Sequence, residues 1–522
     1  MDTQAVISRA RRQTLGDVLR RSARRFPGKS AIECGAHIRW TYGEFDAACD
    51  RLAAGLLAKG LQKGERVAVL ARNSHSFALV RFALARAGGV IVPINFMLNA
   101  DEIAYILNHS QASALCVDAE FAEVGRAAAA RADAVEQLWG LEDESGESPA
   151  GVESLNELAA STTDITAIEA VDVAGHDVAQ IVYTSGTESR PKGALLNHDG
   201  VLWEYVTCLV DTCIEADDVM LHALPLYHCA QLDVFLGPAI YVGATNIITA
   251  APTPENIIEK ISGRGITSFF APPTVWIAIL RDHRGTAEAM ATLEKGYYGA
   301  SIMPVEVLKE LLQRYPALRL WNLYGQTEIA PVATVLKPDE QLARAGSAGR
   351  PGLNVETRVV NDDGSDVACG EIGEVVHRSP QLMSGYFNDP ERTAEAFAGG
   401  WFHSGDLATV DEDGYITIVD RKKDMIKSGG ENVSSREVEE VIYLLPEVSE
   451  VAVVGVSDAK WIEAVCAFVV PREGAAPSEE QIIAHCARHL AGFKTPKRVV
   501  VLEGLPKNPS GKVLKRELRQ IA

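Results

Sequence analysis

The sequence predicts an α/β protein built on doubly wound parallel sheets. Three observations predict it. Strand-like and helix-like segments alternate through the first third of the chain. The 522 residues exceed what one ordinary core organises, so more than one domain is expected. The pattern also changes character after about Val355. Residues 67–70 form the unbroken apolar run of a buried strand, 76–87 read as a helix, and 89–94 as the next strand. Residues 99–108 repeat the helical pattern, with Asn99 as N-cap and Glu102 closing a capping box, before the strand-like 114–117. Residues 142–170 are acidic and rich in Ser, Thr and Gly, and read as a surface excursion rather than a domain boundary. Beyond Val355 the runs shorten to β-rich pieces at 374–377 and 415–419. The last hundred residues return to mixed α/β, with 451–454 and 467–470 as strands and 480–490 as a helix. The charged Asp420-Arg421-Lys422-Lys423-Asp424 is the candidate boundary, giving domains of 1–420 and 421–522.

Composition narrows the function. Hydrophobic residues make up 47% and charged residues 23%, as in a soluble globular protein. A net charge of −20 argues against nucleic acid as a partner, because phosphate backbones are met by excess Lys and Arg. The same charge opposes broad docking on anionic membranes. The first fifteen residues carry Arg and no long apolar run, so no secretory signal is expected. No later stretch approaches the roughly 20 apolar residues of a membrane-spanning helix. The nine cysteines are scattered and form no Cys-x-x-Cys pair, which points to a reduced, cytoplasmic setting without a zinc site.

The most informative segment follows the strand-like Gln180-Ile181-Val182-Tyr183. It reads Thr184-Ser185-Gly186-Thr187-Glu188-Ser189-Arg190-Pro191-Lys192-Gly193. Hydroxyls, small residues and two cations in one loop offer donors and positive charge to phosphate oxygens. It is not a Walker loop: Pro191 replaces the second glycine, and Gly193 stands where a metal-binding Ser or Thr follows the lysine.

Further motifs place the loop. Tyr324-Gly325-Gln326-Thr327-Glu328, Ser404-Gly405-Asp406, the 420–424 segment and Pro506-Lys507-Asn508-Pro509-Ser510-Gly511-Lys512 follow in an order that resembles the acyl-adenylate-forming enzymes, within them the acyl-CoA synthetases. The resemblance spans nearly the whole chain. It implies a large N-terminal domain with doubly wound sheets plus a distorted β-barrel subdomain, and a small mobile α/β C-terminal domain. It also implies two half-reactions: a carboxylate attacks the ATP α-phosphate, giving acyl-AMP and pyrophosphate, and the CoA thiol then displaces AMP.

By this resemblance Thr184, Ser185, Gly186, Thr187 and Lys192 hold the β- and γ-phosphates. Glu328 and Thr184 bind Mg²⁺, a hard cation that takes carboxylate and hydroxyl oxygens. Tyr324, with Gly325 and Thr327 in its motif, stacks on adenine, and Gly299, Ala300, Ser301 and Asn322 line the base. Asp406, an acceptor-only side chain suited to two ribose hydroxyls, acts with Arg421. Lys423 is the hinge. Lys512 bridges carboxylate and α-phosphate during adenylation. Lys427, Ser428, Gly429, Gly430 and Glu431 receive the CoA arm. His228, in Leu224-Pro225-Leu226-Tyr227-His228, stands beside the acyl entrance, where a core histidine is the plain alternative.

Three positions, at two places in the chain, depart from the family pattern. Glu188 and Ser189 stand where a hydroxyl residue and Gly are usual, and Ile462 stands where Gly usually separates Trp461 from Glu463. The expected substrate is a medium- or long-chain fatty acid. The alternatives are an aromatic or other small organic acid, a non-catalytic adenylate-binding protein, or a unit that loads a carrier protein. ATP, CoA and Mg²⁺ are the implied cofactors, no integral membrane segment is expected, and a homodimer is compatible with the family.

Overall fold

The computed structural model describes residues 3–184, 190–301, 303–428, 431–458, 461–472, 474–507 and 513–521. The chain falls into two units, one made of Met1–Thr184, Pro191–Glu356 and Arg378–Phe397, the other chiefly of Thr357–His377 and Ala398–Ala522.

Two large sheets organise the first unit. In the eight-stranded sheet, Val178–Thr184, Val90–Pro93, Arg66–Leu70, Ala112–Val117, Gln137–Gly140 and Glu153–Ser154 follow one another as parallel neighbours. Their near-continuous apolar runs are those of strands buried on both faces. Lys192–Asn197 and the two-residue strand Gly385–Tyr386 then extend one edge in antiparallel sense. The nine-stranded sheet has a parallel centre, Thr245–Ile248, Val219–His222, Ser268–Phe270, Lys295–Gly299 and Arg319–Gly325, with antiparallel strands at both edges. Every residue of the helix His75–Ala87 is buried, including Arg81 and Arg86. Arg86 is neutralised by Asp46 and Asp50, and Arg81 by Asp233.

Local signals act as the sequence indicates. Asn99 Oδ1 accepts from the N–H groups of Asp101 and Glu102, while Glu102 accepts from Asn99 N–H, so the capping box starts the helix Ala100–Ser110. Residues 142–170 are more than a surface excursion. They contribute the edge strand Glu153–Ser154 and the helix Leu155–Ser161, which buries Leu155 and Ala159. A short apolar spacing inside an acidic stretch is overridden by what it packs against: a Cβ on Gly55 would lie 2.8 Å from Leu158, so the two helices touch there.

The second unit carries a four-stranded sheet, Glu356–Val360, Gly373–Arg378, Phe402–Val410 and Ile416–Arg421, around Val359, Val375, Ala408 and Ile416. The β-rich region expected as a distorted barrel takes this form, with no closed barrel among the described residues. The C-terminal sheet pairs Val448–Asp458 with Ile462–Pro471, the latter running parallel to Arg498–Val501 and flanked by Ile426–Ser428 and Glu431–Val433. Helices Ser435–Tyr443 and Glu479–His489 contribute to its core. Among the described residues no helix is long and apolar enough to cross a membrane.

Ile462 adopts φ 69°, a left-handed conformation, with 67% of its surface exposed. A β-branched residue is strained there and recovers little by burial. Ile462→Gly is therefore expected to raise unfolding stability by about 1 kcal/mol, because relief of the left-handed penalty outweighs glycine's entropy cost. Denaturant titration checks this; an unchanged or lowered midpoint contradicts the strain.

Candidate functional site

Two paired strands flank the motif expected to hold phosphate. Strands Val178–Thr184 and Lys192–Asn197 pair antiparallel, with Thr184 directly opposite Lys192. The loop they close, including Ser185, Gly186, Thr187, Glu188 and Ser189, lies outside the described residues. Gly193 cannot be replaced without movement, since a Cβ there would lie 2.7 Å from Ile181 Cγ2.

The segment 383–387 ties this hairpin to the second motif. Ser384 N–H donates to Leu195 O and Phe387 N–H to Gly193 O, each at 2.8 Å. Met383 N–H donates to the backbone carbonyl of Glu328, also at 2.8 Å. The Tyr386 hydroxyl donates to Glu328 Oε1 at 2.9 Å, and Lys192 Nζ stands 5.0 Å from the centre of the same ring. Sequence reasoning missed Tyr386: a two-residue edge strand has no periodicity to read. Burial and the Glu328 charge push its phenol well above the ordinary tyrosine range.

Glu328 occupies a tight turn, Thr327–Ile329, between two antiparallel strands. Gly325 permits that turn, because a Cβ there would fall 1.8 Å from Pro331 O. Glu328 is 8% exposed, and among the described residues only Tyr386 donates to its carboxylate. One carboxylate with a spare oxygen fits a magnesium ion, which is commonly held by one or two carboxylates plus phosphates and water. No group of three or more His, Cys, Asp or Glu among the described residues forms a cage.

A buried network holds the turn from beneath. Glu204 Oε1 accepts from Val332 N–H at 3.0 Å. The Gln381 amide nitrogen lies 2.5 Å from Glu204 Oε2, 3.0 Å from Ile329 O and 2.7 Å from Val332 O. Complete burial pushes the Glu204 carboxyl up to about 8.

Of the residues expected to line the base, Gly299 and Asn322 come from adjacent parallel strands, with Gly299 opposite Leu323 and Tyr298 opposite Asn322. Gly299 is required, since its Cβ would meet Leu323 O at 2.5 Å. Ala300 takes φ 65°, and it and Ser301 are exposed just beyond the strand end. The Asn322 amide is committed to Ser347 O at 2.9 Å. Tyr324 is half-buried against the cluster of Ile329, Ala333 and Val355.

His228 comes to the same region. The Sγ of the next residue, Cys229, lies 3.5 Å from Thr327 Oγ1. His228 Nδ1 accepts from Ala230 N–H at 3.1 Å, which fixes it as an unprotonated nitrogen. The residue is exposed to solvent, and desolvation lowers its pKa, which favours the uncharged imidazole. A π-helix, Ala230–Leu236, follows it. Its Asp233 is buried against Arg81 at 3.0 Å and Gln180 at 2.7 Å, and its Gln231 against the neutral His222 at 2.7 Å.

The remaining predicted residues belong to the second unit. Asp406 and Arg421 are cross-strand partners, with Oδ1 and Nε 3.6 Å apart and Asp406 buried. Lys423 is exposed in the turn after this strand. Lys427 and Glu431 are exposed on a hairpin that also holds the buried Ser428, which pairs with Ile462 across the sheet. Gly429, Gly430 and Lys512 lie outside the described residues.

The pKa of Glu204 gives a test. Raised from 4.5 to about 8, it makes the folded state hold a proton that the unfolded chain releases. Stability from this group is full below pH ~4.5, falls as pH rises, and levels off above about 8. Glu204→Gln is expected to flatten the decline of melting temperature with pH relative to the wild type; an identical decline contradicts the assignment.

Comparison with known proteins adds to this geometry. Residues 19–387 match the AMP-binding enzyme family and 437–512 the AMP-binding enzyme C-terminal domain. The chain is 37% identical to a feruloyl-CoA synthase of Amycolatopsis sp over 98% of its length and 99% of the relative's. It is 35% identical to the long-chain-fatty-acid–CoA ligase FadD13 of Mycobacterium tuberculosis, over 97% and 98% of the two chains. Among solved structures, the anthranilate CoA ligase AuaEII in complex with anthranoyl-AMP matches with a TM-score of 0.88 at 26% identity, covering 98% of this chain and 97% of the other.

Proposed function

We propose that this chain, which belongs to the AMP-binding enzyme family and is an AMP-forming acid–CoA ligase, activates a monocarboxylic acid bearing an uncharged aromatic group. The acid's carboxylate attacks the α-phosphate of ATP and pyrophosphate leaves. The CoA thiol then attacks the acyl carbon, loses its proton and expels AMP.

The observation that carries the site reading is the row Lys192, Tyr386, Glu328 at the closed end of the hairpin. In this reading Lys192 and the hydroxyl-rich loop neutralise and orient the β- and γ-phosphates. Glu328 and Thr184 are the hard oxygen donors toward magnesium, which when bound supplies charge against the developing negative phosphate oxygens. Tyr324 packs on the base beside Gly299, Ala300 and Ser301. Asp406 and Arg421, joined across two strands, take the ribose hydroxyls. Lys512 supplies charge to the attacking carboxylate and α-phosphate, and rotation at Lys423 then brings Lys427–Glu431 to the CoA arm as residues 421–522 turn. A cytoplasmic location accords with the reduced cysteines.

The aromatic preference is supported by the likeness to feruloyl-CoA synthase and the anthranilate ligase. It also accords with the two residues expected beside the acyl entrance: desolvation lowers the His228 pKa, and burial pushes the Cys229 thiol up to about 12. Uncharged side chains there suit an uncharged tail. The likeness to FadD13 favours a second reading, a long-chain fatty acid.

An acid panel read by CoA-dependent AMP release separates the two. Arylpropenoic and arylacetic acids are expected to exceed C8–C16 alkanoic acids in kcat/KM, and the reverse order selects the fatty-acid reading. His228→Ala should raise KM for the acid by roughly 10-fold, the scale of one or two lost pocket contacts, with KM for ATP unchanged.

Lys512→Ala is expected to slow adenylation by about 10²–10³, the effect of removing one preorganised charge. Thiolysis of supplied acyl-AMP should change far less, and equal losses in both half-reactions reject the role.

A further inference from the structure

We propose that Tyr386 is a positioning residue that keeps the Lys192 ammonium and the Glu328 carboxylate apart and separately available, so that each meets ATP rather than the other. The inference rests on the reading that these two groups serve the triphosphate and its metal.

Three observations support it. The same phenol contacts both groups, through its ring face at 5.0 Å from Lys192 Nζ and its hydroxyl at 2.9 Å from Glu328 Oε1. A ring face holds an ammonium without neutralising it, and a phenol hydroxyl holds one carboxylate oxygen while leaving the other open. Secondly, the half-buried Lys192 makes no ion pair with any described residue, and its ammonium rests on the ring face instead. Thirdly, the backbone that carries the ring is itself fixed. Tyr386 N–H donates to Thr393 Oγ1 at 2.9 Å, Thr393 Oγ1 donates to Asp389 O at 2.7 Å, and Gly385–Tyr386 pairs with Ala194 and Leu195. Gly385 takes φ 145°, and a Cβ there would press on Thr393 Cγ2 at 2.9 Å, so the approach that seats Tyr386 needs glycine.

The consequence is specific. If the ring were absent, Lys192 and Glu328 would collapse into a pair that ATP must first break. If only the hydroxyl were absent, Lys192 would stay in place but the carboxylate would lose its orientation.

Tyr386→Phe should therefore bind metal-free ATP with nearly wild-type affinity. Its adenylation kcat, read by pyrophosphate exchange, should fall roughly tenfold with KM for the acid unchanged, the scale of one hydrogen bond to a charged group. Tyr386→Leu should weaken metal-free ATP binding, read by equilibrium dialysis, by about fivefold. Adding Glu328→Gln to Tyr386→Leu should recover that binding by a factor at least about threefold larger than the same change achieves in the wild type, the coupling expected of side chains in contact. Melting curves on each variant report the fold. If the leucine variant does not fold, the phenylalanine variant alone decides, through its kcat against its ATP affinity. Equal gains from Glu328→Gln in both backgrounds, or a phenylalanine variant with wild-type kcat, overturn the proposal. Lys192→Ala is the control for the underlying reading. If it leaves ATP binding unchanged, the phosphate role of Lys192 fails and the proposal with it. If it weakens ATP binding while the double-mutant cycle shows no coupling, only the role of Tyr386 fails.

Discussion

Residues 383–387 occupy a position on which two separate motifs depend. Their backbone N–H groups bond to Gly193, Leu195 and Glu328, which come from a hairpin and from a turn more than a hundred residues later in the chain. Backbone groups in such an edge must find partners or lose the free energy of a buried unmade hydrogen bond. Satisfying them here ties the strand that begins at Lys192 to the turn that carries the Glu328 carboxylate. Tyr386 occupies the space that this constraint defines.

The rigidity beneath the site comes from polar groups buried where apolar ones would be cheaper. Glu204 and Gln381 accept from and donate to the backbone around Ile329 and Val332, so the turn that carries Glu328 cannot relax without leaving a buried amide or carbonyl unpaired. Asp233 and Arg81 serve the π-helix after His228 in the same way, and His222 links Gln231 to Asn246. Replacing one partner in such networks costs more than replacing both, so their members act as sets. His228 is held more loosely: its Nδ1 accepts from Ala230 N–H at an exposed position, and desolvation lowers its pKa.

Much of the architecture could be read in advance where the signal was local. Asn99 and Glu102 announce their helix, because a cap is made by side chains three residues apart. The apolar run at 67–70 announces a buried strand, which extends over Arg66–Leu70. Residues 142–170 misled because their composition is that of a loop, while the apolar spacing of Leu155 and Ala159 gains its meaning only against the helix it packs on. Asp406 and Arg421 could be named from their motifs, but that they stand opposite one another depends on how two strands register.

The sequence by itself determined the chemistry on offer: a hydroxyl- and cation-bearing loop, a turn ending in a carboxylate, an aspartate and an arginine in their motifs, and glycines at Gly299 and Gly325 where backbones approach closely. These are short-range properties, set by residue type and by neighbours along the chain. The tertiary structure alone decided that one tyrosine, Tyr386, contacts both Lys192 and Glu328, that Glu204 lies buried under the turn, and that Cys229, next to His228, meets Thr327. Each of these joins segments far apart in sequence. Their meeting is selected by the packing of whole sheets and helices, and no spacing along the chain records it.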